Sequence, residues 1–115
     1  MTTYNFPNHK KGDTMRAVAF TVTVNAVALN LTGASIRMDV RNSAAALLKR
    51  FTTHATIDPG LTITNAVAGQ FKFNEQIVDI SAGTHDYDIQ FTLADATVVT
   101  YIEGTWTITQ DITHD

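Results

Sequence analysis

The chain has no cysteine, which excludes a disulfide framework, a thiol nucleophile and Cys-ligated zinc. Charge is scarce as well: Asp, Glu, Lys and Arg make up 17% of 115 residues, with 8 Lys+Arg against 11 Asp+Glu and a formal net charge of -3. The basic residues form no stripe, so the electrostatic footprint of a nucleic-acid binder is missing. No apolar run approaches the roughly 18 residues of a spanning helix. Met1 to Lys11 is polar, unlike a secretory leader, and the expectation is synthesis in a host cytoplasm. The glycines stand singly at Gly12, Gly33, Gly60, Gly69, Gly83 and Gly104, so no local sequence can cradle a phosphate. Hydrophobic residues reach 44%, enough for a packed interior and against disorder. Length gives one domain, read as an N-terminal arm over 1–14 and a folded unit over 15–115.

What is present is β-branched. Threonine is roughly a sixth of the sequence, and with Val and Ile it fits pleated, half-buried surfaces and disfavours helices. Phe20, Val22 and Val24 alternate with polar neighbours; so do Ile36, Met38 and Val40 with Arg37, Asp39 and Arg41. Tyr87, Ile89, Phe91 and Leu93 alternate with Asp86, Asp88, Gln90 and Thr92, and Ile102, Trp106 and Ile108 share a parity with Gly104, which leaves space on the inner face for the indole or marks a bulge. Period 2 predicts four strands with one wet face each. Shorter segments at Leu47 to Thr53, Leu61 to Thr64 and Gln70 to Asn74 are bounded by turn residues such as Asp58-Pro59-Gly60 and Ala68-Gly69. The reading is all-β: an Ig-like two-sheet antiparallel β-sandwich with Greek-key connections. Ser43 to Lys49 is read as a hairpin connection. Ile77 and Ile80, three apart, suggest one short helical crossover, and Tyr4 to Asp13 is read as an irregular arm.

Chemistry is hard to assemble from these residues. Ser35, Ser43 and Ser81 lie in no Gly-x-Ser-x-Gly elbow. Asp86 and Asp88 share a strand face about 7 Å apart, inside the range of a glycosidase pair, but their companions Gln90 and Thr92 are those of a solvated sheet surface. His9, His54, His85 and His114 include no pair at i,i+2 or i,i+4, which reads as surface or interface histidines and predicts no metal and no cofactor. Asn30-Leu31-Thr32 matches a glycosylation sequon but calls for a secretory route that the N-terminus does not advertise. The expectation is a protein that is not an enzyme.

The order and spacing of several segments carry a resemblance. They are Phe20-Thr21-Val22-Thr23-Val24, the stretch from Leu29-Asn30-Leu31-Thr32-Gly33 to Arg41, Leu61-Thr62-Ile63-Thr64, Ala68-Gly69-Gln70-Phe71, Ile80 to Phe91, and Tyr101 to Ile108. Together they resemble the small β-sandwich domains of bacteriophage virion proteins, of the type at the N-terminus of baseplate upper proteins. The resemblance implies a structural component of a virion, in the tail, baseplate, connector or capsid decoration, whose partners are other virion proteins and copies of itself, with no nucleic acid and no membrane. On that reading Tyr4, Phe6, His9, Lys10 and Lys11 of the arm and the outward threonines Thr21, Thr23, Thr105, Thr107 and Thr109 contact partners in a symmetric assembly, and the arm orders only there; the alternative for the arm is that Phe6 folds back over its own core. The alternative is a carbohydrate-binding module for host surface glycans, with Tyr101, of opposite parity to Trp106, as its aromatic platform.

Overall fold

The computed structural model describes residues 2–53 and 60–109, and among these every regular element is a strand. In chain order they are β1 (Thr2–Thr3), β2 (Phe6–Lys10), β3 (Thr14–Met15), β4 (Val18–Thr21), β5 (Thr23–Val24), β6 (Val27–Ala28), β7 (Ser35–Arg41), β8 (Leu47–Thr52), β9 (Leu61–Asn65), β10 (Gln70–Phe73), β11 (Gln76–Ile77), β12 (Gly83–Thr92) and β13 (Val98–Thr109). The larger sheet runs β1-β13-β12-β7-β8, with β2 also on β13. The smaller runs β4-β10-β9, and two ribbons join β3 to β11 and β5 to β6.

The alternation seen in the sequence becomes the inner face. Ile36, Met38 and Val40 on β7 and Tyr87, Ile89 and Phe91 on β12 are buried, as are Ile102, Trp106 and Ile108 on β13. Phe71 and Phe73 of the smaller sheet face them: Phe71 lies 5.5 Å edge-on to Phe91, and Phe73 lies 5.8 Å at 88° to Trp106. These T-shaped contacts fill the space between the sheets and define a β-sandwich-like core.

Three local expectations change. The crossover is extended, not helical: Val78 and Ile80, two apart, are buried while Ile77 is exposed, and Gln76–Ile77 pairs with Thr14–Met15. The arm is regular. β1 and β2 run parallel to β13, with Thr2 opposite Ile102 and Phe6 opposite Trp106, so the sheet is not wholly antiparallel. Phe6 enters the chain's own core, stacked 4.7 Å from Trp106 and 4.9 Å from Tyr87, in place of waiting for a partner to order it. The Ser43 to Ala46 connection is, as expected, a hairpin turn between β7 and β8, held by Asn42, whose Oδ1 accepts the amides of Ala44 and Ala46 at 2.9 and 3.0 Å. The Asp58-Pro59 turn signal, His54 and His114 lie outside the described residues.

Candidate functional site: an acidic groove on the larger sheet

The outer face of the larger sheet carries the side chains that alternate with the core. Register sets them in rows across the strands. Arg50 of β8, Asp39 of β7, Asp88 of β12 and Glu103 of β13 follow one another, ending at Thr3 of β1. The next row places Arg41 beside Asp86 and Asp86 beside Thr105.

Asp39 gathers the cations. Arg50 binds it with two hydrogen bonds, Nε to Oδ1 at 2.7 Å and Nη2 to Oδ2 at 3.2 Å. Arg37 Nε and Arg41 Nη2 each stand 3.5 Å from Oδ2. Asp39 is only 4% exposed. The hydrogen bond to Asp39, and then its charge, raise the affinity of the Arg50 guanidinium for its proton. Arg37 also donates from Nη2 to Gln90 Oε1, fixing its plane against the next strand.

The remaining acids are not paired in this way, although Arg41 stands opposite Asp86 in the register. Among the described residues, none of Asp86, Asp88 and Glu103 is in an ion pair. They line a groove of about 400 Å³ with Thr3, Asn5 and Thr105, and the Asp39–Arg41 pair closes one side of it. Asn5 is itself fixed, its Oδ1 accepting from Thr105 N at 3.1 Å and Thr105 Oγ1 at 3.3 Å. Burial raises the pKa of Asp88, and the nearby charge of Asp39 raises it further; Arg41 and Arg37 pull the other way and Glu103 adds to the rise. A carboxylate placed directly between two like charges is an unfavourable cross-strand arrangement. A cation in the groove would relieve it.

No protein-family model and no curated protein matches the chain. Among solved structures, CopC from Methylosinus trichosporium OB3b is similar along 94% of this chain and 89% of that one, at 9% identity and a TM-score of 0.49. The expected function is corrected accordingly: neither the phage structural role nor the glycan-binding alternative gains support from any of these comparisons.

The residues expected to meet partners are dispersed. Tyr4 and Phe6 turn inward, their rings 5.1 Å apart. His9 Nε2 is bonded to Asp13 O at 2.9 Å, Lys10 pairs with Thr109, and Lys11 Nζ lies 3.9 Å from Asp79. Thr107 is tied to Thr84 through their hydroxyls at 3.1 Å, and the Thr109 hydroxyl donates to His9 O at 3.4 Å. Thr21 and Thr23 belong to other strand pairs, opposite Gln70 and Ala28. Only Thr105 borders the groove.

Tyr101 is no exposed platform, and the reason is a bulge. Ile89 pairs with Ile102 but Gln90 pairs with Thr100, so Tyr101 is the extra residue and the parity resets. Its ring lies 5.9 Å from Phe91, partly buried against the core. His85, expected at the surface, is buried with Nε2 on Ser81 O at 2.6 Å. Glu103 is the groove residue that sequence reasoning did not join to Asp86 and Asp88. Its place depends on the pairing of β12 with β13, which no local pattern reports.

Proposed function

We propose that the protein is a non-enzymatic binding domain that takes an alkylammonium ligand, of the polyamine type, in the acidic groove. The supporting observation is the division of charge on one sheet face: Arg37, Arg41 and Arg50 all converge on Asp39, while Asp86, Asp88 and Glu103 share a groove in which the one cation among the described lining residues, Arg41, is paired with Asp39 and with none of the three. An ammonium carries three donors and no acceptor, which suits three carboxylates rimmed by the oxygens of Thr3, Asn5 and Thr105. The groove is open, so the ligand keeps part of its water and the affinity rests on summed, salt-screened contacts. The strand order, with β2 parallel to β13 and β4-β10-β9 opposite β13-β12-β7-β8, supports an Ig-like arrangement in which this groove lies at the edge formed by the first and last strands.

Calorimetric titration of the full chain with spermidine at low and high salt tests the reading. Binding should weaken as salt rises. Asp88→Asn and Glu103→Gln should each reduce affinity about fivefold, the order expected of one partly screened charge contact. Asp79→Asn, at the exposed Lys11 pair outside the groove, should leave it unchanged. Absence of binding at low salt, or equal losses in all three variants, would overturn the proposal.

A further inference from the structure

The strand that completes the groove is also the one most easily lent to another molecule. Among the described residues, β1 and β2 make their sheet bonds only with β13, and in parallel. Their anchors sit about a hundred residues away in sequence: Tyr4 N donates to Glu103 O at 2.9 Å, Lys11 N to Thr109 O at 2.9 Å, and the Tyr87 hydroxyl donates to Tyr4 O. Phe6 fills a pocket walled by Trp106, Tyr87, Phe73 and Phe20. Gly104 leaves the opening through which the Tyr4 carbonyl approaches, since a side chain there would overlap it. These are the components of strand addition: main-chain bonds for affinity, and one aromatic pocket for register.

What keeps the strand on its own chain is a short turn pinned to the segment before β12, with Gly12 N donating to Val78 O at 2.8 Å and Val78 N to Asp13 O at 3.1 Å. Asp13 N donates to Lys10 O at 3.1 Å, and Gly12 sits at φ +86, in the left-handed region. We propose that β1 and β2 exchange between two copies of this chain when that turn opens, each copy seating its Tyr4 and Phe6 in the other's slot. A second copy is the occupant because Tyr4 to Lys10 is the segment that the slot is seen to fit, in both hydrogen bonding and aromatic shape. Every contact that crosses from the strand to β12 and β13 survives exchange, so the balance is set by the turn and by the effective concentration of the tethered strand, about millimolar for a short link. Exchange also makes each groove a shared site, because Thr3 and Asn5 then come from the other copy. That last consequence rests on the ammonium reading; the exchange does not.

The absence of native cysteine permits a direct test. Asn5 and Thr105 are neighbours across β13, so chains carrying Asn5→Cys alone and Thr105→Cys alone are mixed at about 1 mM and oxidised with oxidised glutathione. A disulfide-linked 5–105 heterodimer, identified by mass, is the expected product, with a yield that climbs with concentration. Adding Gly12→Val should lower the concentration needed at least tenfold, because a β-branched residue disfavours positive φ while a Cβ at position 12 meets nothing within 4 Å. Gly12→Asn, which tolerates that conformation, should behave as the parent. No 5–105 heterodimer in any background, or equal yields for Val and Asn at position 12, would overturn the proposal. Spermidine titration plays no part in this readout, so its failure would leave exchange standing.

Discussion

A single glycine shows how function-bearing geometry hides in a sequence. Parity places Gly104 on the inner face with Ile102 and Trp106, and the sequence reading gives its space to the indole or to a bulge. The structure gives it to backbone: a Cβ would overlap the Tyr4 carbonyl oxygen and stand 3.0 Å from Tyr87 Cε1. The need for glycine was legible; its beneficiary, about a hundred residues away, was not. Gly104→Ala should therefore loosen β1 more than the core, costing about 1–3 kcal/mol, the range of a steric insertion into a packed site. Hydrogen exchange would show faster exchange at the Tyr4 amide with little change at Ile89. Unaltered protection at Tyr4 would refute the close approach. Asp39 is a second case. The Arg37-x-Asp39-x-Arg41 alternation was visible, yet the solvated face it predicted became a buried carboxylate because Arg50 arrived from the neighbouring strand.

At the scale of elements, strands β7, β12 and β13 were readable because each buries one face over several residues, and period 2 then survives every local preference. Short elements were not. β11 has two residues and takes its conformation from pairing with β3, so the three-residue spacing of Ile77 and Ile80 carried no information about a helix. Tyr101 failed for a different reason: a bulge inserts one residue, and every inference of side past that point reverses. β2 was read as an arm because Pro7, Asn8 and His9 interrupt any alternation, and its strand character comes from the partner. If β2 is integral, Phe6→Ala should cost about 3–5 kcal/mol, as for other buried aromatics, and should lower the urea midpoint without changing its slope. A loss below about 0.5 kcal/mol would mark the segment as dispensable.

Across the whole molecule, charge is sorted. From Ala17 to Ile36 there is no Asp, Glu, Lys or Arg, whereas the outer face of the larger sheet holds three arginines on one carboxylate and three further acids on a groove. Such an arrangement has a stability consequence whose sign follows from linkage. Burial and the charge of Asp39 raise the Asp88 pKa above its unfolded value, so the favourable contribution of its protonated form is fully present below the ordinary carboxylate pKa. It is lost as pH rises through the raised folded value. At neutral pH an ionised, unliganded Asp88 is thus a cost. Asp88→Asn should melt higher than the parent at pH 7, and the gap should close as pH falls below about 4, where the parent's own carboxyl is protonated. The same substitution should weaken spermidine binding. A group that costs stability until its ligand arrives is the trade expected of a binding site, and a purely structural carboxylate would not show it. If Asp88→Asn instead melts lower than the parent at pH 7, Asp88 is supporting the sheet, and the charge imbalance on which the binding proposal rests does not exist.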